Sequence, residues 1–259
     1  TRLAEDLLAP PRSRAQLLKG APVAAAGLGL VPAITSAASP RGGKPAGGIT
    51  GRTIKEPVAE ILNIAATAEA LAVTAFYHVH VAVNEGKFNT GGIAIPVGTL
   101  VNVVRAILRE EQDHLSFLMG AGGYPLQTKF TVPTDVLRSA VPALKFVEAA
   151  ETIFVGAYMA ANREFAWAGE NALAQYSYQI GSVEAEHRTL SRVGLGQMPP
   201  NNKSFETNLF GKVADAAAEL EKLGLLKPKY AYPGARAVNH ILSTSFSENS
   251  TAGVTQRHP

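Results

Sequence analysis

Glu111-Gln112-Asp113-His114 and Glu184-Ala185-Glu186-His187 are the two stretches on which the fold turns. Each sets a glutamate and a histidine three residues apart. On a helix, positions i and i+3 share a face, so both side chains of a pair can reach one centre. With 17 glutamates in 259 residues, any one histidine meets this spacing by chance about once in fifteen. Two matches on two separate segments are much harder to produce by accident.

Both stretches sit in segments with helical periodicity. Four such segments are predicted, at about 56–84, 96–119, 135–168 and 171–193, the third with a break expected at Pro142. Pro57 suits an opening turn, while Gly120, Gly169 and Gly194 supply stops. The first two segments are joined by a short loop, as are the last two, and a long irregular link with Pro125 and Pro133 lies between the pairs. Two antiparallel hairpins joined by one long crossover make an all-α four-helix bundle. No stretch alternates at period two for long enough to make a sheet.

The hairpins also set the heights of their glutamates. Glu69 lies 15 residues before Asn84, and Glu111 lies 15 after Pro96. Each is therefore about 22 Å from its loop at 1.5 Å per residue. Glu151 is 18 residues before Gly169 and Glu184 is 15 after it, level to within about one turn. Each hairpin thus sets a lone glutamate opposite a Glu-x-x-His pair, the ligand pattern of two-metal carboxylate bundles.

Four glutamates converging in a low-dielectric core repel one another or take up protons unless cations offset them. Mixed oxygen and imidazole donors suit iron or manganese, with zinc a frequent substitute. The expected ligands are Glu69, Glu111, His114, Glu151, Glu184 and His187. Glu69 and Glu151 would bind one metal each, Glu111 and Glu184 would bridge, and the histidines would complete one metal each. Glu148, one turn from Glu151, competes for its place. Glu110, Asp113 and Glu186 are expected on solvated faces, at most supporting the histidines. His78 and His80 are expected at the surface or an interface.

The rest of the chain narrows the classes. Apolar residues make up 46% and charged residues 17%, with a formal charge of +3 and no cysteine. The lack of cysteine excludes thiolate-held zinc, iron–sulfur clusters, disulfides and a cysteine nucleophile. Without a basic block or interleaved aromatics, no nucleic-acid partner is expected.

Residues 1–50 read as a leader-like apolar segment and linker. A basic stretch from Arg12 to Lys19 precedes an uncharged run ending near Ser36-Ala37-Ala38, and Ser13 to Lys19 resembles a twin-arginine export signal with Ala15 at the second arginine. An exported, extracytoplasmic protein is expected, with an uncleaved leader able to serve as anchor or docking segment for a membrane or protein partner. Residues 51–197 form the bundle. Residues 198–259 are predicted to hold a further helix at about 205–223 and an irregular tail after Lys227.

On Glu69, Glu111-x-x-His114, Glu151 and Glu184-x-x-His187 the sequence resembles the ferritin-like superfamily over about residues 55–195. Within it, the chain is similar to the exported ferritin-like proteins that include the desiccation-related group. The resemblance implies two iron ions, alternatively manganese or zinc, reacting with dioxygen or peroxide in ferroxidase or peroxide-detoxifying chemistry. It also implies a catalytic Tyr158, two turns after Glu151, near the metals. That position favours Glu151 over Glu148, and the equivalent place after Glu69 holds Phe76. A homo-oligomer fits the same picture. A rival reading keeps the bundle for its shape, as a structural or partner-binding subunit of a membrane-associated assembly.

Overall fold

Pro57 and Pro96 stand immediately before the first two helices, each at φ −57°. There a fixed φ and a missing N–H cost nothing, because the first turn has no intrahelical acceptor for those groups. In the computed structural model, which describes residues 54–243, these helices are α1 (Val58–Asn84) and α2 (Val97–Gly120). The crossover carries a two-residue strand, β1 (Lys129–Phe130). It leads to α3 (Ala140–Ala168) and α4 (Asn171–Gly194), the second hairpin. Gly169 closes α3 at φ +81°, a left-handed position that only glycine adopts without strain. The expected leader, the linker and the end of the tail with His258 lie outside the described residues.

Two helix boundaries and one expected break differ from the sequence reading. Helix α3 begins at Ala140 rather than near 135 because the turn over 134–138 is separated from it by Ser139, which is held extended in a bridge to Asn89. Asn89 N donates to Arg138 O at 2.8 Å, Ala140 N donates to Asn89 O at 2.8 Å, and Ser139 sits at φ −149°. Pro142 then falls in the first turn, where its missing N–H breaks no bond, so the helix does not break there. The fifth helix, α5, is only Val213–Lys222. Residues 205–212 are drawn out of helix because Gly211 O accepts from Arg163 Nη2 at 2.6 Å and Lys55 Nζ at 3.2 Å, while Arg188 donates to the Glu206 carboxylate.

The tail, expected to be irregular, carries β2 (Tyr230–Ala231) and α6 (Ala235–Ser243). Strand β2 pairs antiparallel with β1, and Arg105 Nη2 donates to Leu242 O at 2.7 Å. The C-terminal extension thereby straps the crossover to the bundle. Two-residue strands leave no periodic signal, so this contact was invisible in the sequence.

The core lies between the four long helices. Helix α1 is apolar and long enough to cross a membrane by composition, yet it is mostly buried within the bundle. Ala65, Ala66, Ala70, Ala72 and Ala75 let its neighbours approach closely. The crossover is fixed to α1 by side chains: Tyr124 N donates to Asn63 Oδ1 at 2.9 Å and Leu126 N to Thr67 Oγ1 at 2.8 Å. Phe130, Val132 and Val136 then insert into the core.

Helix α5 hangs on one carboxylate from outside it. The buried Glu56 accepts from Val213 N at 2.5 Å and Ala214 N at 2.7 Å, which satisfies two orphan donors of the first turn and complements the helix dipole. Glu56→Ala strands both donors and should cost about 1–3 kcal/mol, a fall in melting temperature of several degrees. Glu56→Gln, which keeps one acceptor, should lose roughly half as much. Thermal melts followed by circular dichroism check this; an unchanged Glu56→Ala melt would show that the cap carries no weight.

Candidate metal centre

The six expected residues come from four different helices: Glu69 from α1, Glu111 and His114 from α2, Glu151 from α3, Glu184 and His187 from α4. The structure brings all six to one level of the bundle. Their ligand atoms fall into two sets, Glu69–Glu111–His114–Glu184 and Glu111–Glu151–Glu184–His187, and within each set the atoms lie inside 4.8 Å of one another. Glu111 and Glu184 belong to both. The four glutamates and His187 are at most 1% exposed, while the His114 side chain is 11% exposed. His114 is therefore the edge of the cluster nearest solvent.

Imidazole nitrogens face carboxylate oxygens across this centre. His114 Nδ1 lies 3.1 Å from Glu184 Oε1 and 3.7 Å from both Glu69 Oε2 and Glu111 Oε2. His187 Nδ1 lies 2.9 Å from Glu184 Oε2, 3.1 Å from Glu111 Oε1 and 3.8 Å from Glu151 Oε1. None of these approaches is aligned as a hydrogen bond. Both oxygens of Glu111 and of Glu184, Oε2 of Glu69 and of Glu151, and Nδ1 of each histidine are buried without a hydrogen-bond partner. Buried polar atoms are nearly always satisfied. Eight orphaned donor atoms turned toward one centre are what a cation site requires.

The outer sides of the same residues are held. His187 Nε2 sits 2.9 Å from Glu110 Oε2. A proton on Nε2 shared with this carboxylate leaves the Nδ1 lone pair aimed inward, the arrangement that fixes a metal-binding tautomer. The Tyr158 hydroxyl donates to Glu69 Oε1. Gly181 of α4 makes room for that tyrosine, since a Cβ there would come within 3.0 Å of Tyr158 Cβ.

Burial raises Glu69 to about 7, aided by the charge of Glu111, and it lifts Glu151 well above the ordinary carboxylate range, aided by Glu184. Burial acts the same way on Glu111 and Glu184, but the two imidazoles outweigh it and bring both below the usual value. Burial opposes charge on the histidines too, yet both are held well above their ordinary value, His114 by Glu184 first and His187 by Glu110 first. Burial, then the Glu69 charge, drives the Tyr158 phenol well above its ordinary value.

Other candidates fall away from the centre. Glu148 accepts from Arg192 Nη1 at 2.5 Å and from Gln197 Nε2 at 2.9 Å, an outward-facing ion pair. Asp113 and Glu186 are exposed. His78 packs half-buried against the Tyr230 ring. His80, expected near the surface, is 1% exposed and lies 3.0 Å from Asn84 Nδ2, with burial and then Arg105 lowering it to about 4. Of the three acidic neighbours expected at most to support the histidines, Glu110 takes that place, and it does so for His187 of another helix, a pairing no spacing within α2 can reveal.

Comparison with known proteins agrees with this architecture. The family model described as a ferritin-like domain matches residues 58–197, more than half of the chain. Among curated proteins and among solved structures, none matches. The match runs from the first residue of α1 to just beyond α4 and so contains the whole six-residue cluster. The chain belongs to the ferritin-like domain family.

Proposed function

We propose that this protein holds two divalent metal ions, as an iron pair, between its hairpins and uses them to react with dioxygen or peroxide. The observation that carries the proposal is the pair of four-residue donor sets sharing Glu111 and Glu184. Glu69 and His114 would serve one ion, Glu151 and His187 the other, and the shared glutamates both. The charges agree. Without cations, burial favours protons on Glu151 and Glu69, and the surrounding carboxylates favour them on His114 and His187. Two divalent cations would offset the four carboxylate charges, so loading would exchange protons for metal.

Donors of this kind, oxygen-rich with one imidazole for each ion, suit iron, with manganese and zinc as competitors. An iron pair bound there would supply the electrons for reduction of the oxidant. The protein's own part is to orient the donors and to limit the access of water. Glu110 fixes the His187 ring, Tyr158 fixes one oxygen of Glu69 and keeps its proton there, and the buried apolar side chains of all four helices limit the access of water.

Two experiments test this. A Glu111→Ala/Glu184→Ala double variant removes both shared carboxylates and should bind no iron by metal analysis after anaerobic loading, whereas Glu148→Ala should load like the parent. Full loading of the double variant would defeat the proposal. Glu110→Ala releases the His187 ring without removing a ligand and should weaken metal binding by roughly 10–100-fold in a competition titration with a chelator. An unchanged affinity would mean that Glu110 has no part in holding the site.

A further inference from the structure

Between the cluster and the α1–α2 loop, the four long helices enclose a narrow cavity of about 30 Å³. Its wall reaches the cluster on three helices. Ile107 lies four residues before Glu111, Val147 four before Glu151, and Ser191 four after His187, each about 6 Å along its axis from a donor residue. On α1 the wall is Phe76, seven residues after Glu69. Toward the loop the lining becomes half-buried at Phe88, Val103 and Phe146, which marks the side nearest solvent. The loop is clamped over this end, with Ala94 N donating to Gly194 O at 2.8 Å.

Carbon lines this cavity throughout. Ser191 is its only residue with a polar side chain, and that hydroxyl donates to Arg188 O at 2.7 Å. A water molecule needs about 10–15 Å³ and two to four polar partners to stay in such a space. The volume suffices, but the partners are missing, so the cavity stays dry and favours a small apolar guest. Hydrogen peroxide would give up its hydrogen bonds on entry, at a cost of several kcal/mol, whereas dioxygen has none to lose.

We infer that this cavity is the entry and holding site for dioxygen, one helical turn from the metal centre, and that dioxygen rather than peroxide is the oxidant it serves. The inference rests on the proposed metal-dependent reaction and selects between its two oxidants. Phe76 is part of the device: a tyrosine there would bring a hydroxyl to a wall that has no polar surface.

Crystals of the metal-free full chain pressurised with xenon test the cavity without any activity. Xenon is expected between Phe76, Ile107 and Val147. Its absence overturns the inference, as does xenon found only in the smaller apolar void of about 20 Å³ lined by Ile64, Phe154 and Leu220. Ala143→Leu, which fills the cavity from α3, should abolish xenon binding there. In iron(II)-loaded protein it should slow oxidation by dioxygen about tenfold and leave oxidation by hydrogen peroxide unchanged. If Ala143→Leu does not fold, Val104→Phe fills the same space from α2. A filled variant with the parent's dioxygen rate, or one slowed equally toward both oxidants, refutes the entry role. Iron-loaded parent protein that reacts with neither oxidant sinks the proposed function instead, and is told apart because xenon would still occupy the cavity.

Discussion

Repulsion among four buried carboxylates governs the rest of this structure. Two charges about 4–5 Å apart at an effective dielectric of about 20 repel by roughly 3–4 kcal/mol. A few such pairs rival the whole stability of a domain, about 5–15 kcal/mol. The bundle tolerates Glu69, Glu111, Glu151 and Glu184 only because two imidazoles stand among them and because protons or cations complete the balance. The surroundings are built to make that compensation local. Glu110 pairs with His187 from outside, Tyr158 donates to Glu69, and Glu148 is kept away from the centre by Arg192 and Gln197. Each of these contacts joins different helices or a helix and the following loop, so the charge chemistry and the packing of the bundle are one problem.

The extensions serve the same end by holding the frame. Glu56 ties the approach to α1 onto α5, the β1–β2 pair ties the crossover to the C-terminal segment, and Arg105 ties α2 to α6. The crossover has to run the length of the bundle to join the hairpins. Its unpaired backbone groups are met by Asn63 and Thr67 of α1 and by the strap, as buried backbone requires.

Most of this fold was legible because helical hairpins convert sequence distance into height. The spacing of Glu69 and Glu111 from their loop, and of Glu151 and Glu184 from Gly169, placed the glutamates level without any knowledge of side-chain positions. The limits follow from the same reasoning. Residues 205–212 were expected to be helical, yet Gly211 O is claimed by Arg163 and Lys55, partners distant in sequence. The start of α3 differs from the sequence expectation because Asn89, in the loop of the first hairpin, holds Ser139 extended between a turn and the helix. Which histidine Glu110 would support is not legible in the sequence, because it depends on how α2 faces α4. Local periodicity reads elements well; it says nothing about which neighbour will compete for a backbone group.

Tyr158 and Phe76 occupy equivalent places in two hairpins that otherwise repeat each other, and they make the two halves of the centre unequal. Glu69 receives the Tyr158 hydroxyl, a short polar contact to a phenol that burial and the Glu69 charge hold protonated. On the other side, Phe76 and Val147 line the apolar cavity, Val147 four residues before Glu151, and burial lifts the Glu151 carboxyl, like that of Glu69, above the ordinary range. A symmetric bundle would present two equivalent metal positions. Here Glu69 faces a proton donor while the Glu151 side borders the apolar cavity, so under the proposed function an apolar oxidant would arrive on one side while the phenol proton is held on the other. That division of labour comes from a single aromatic hydroxyl, present after Glu151 and absent after Glu69.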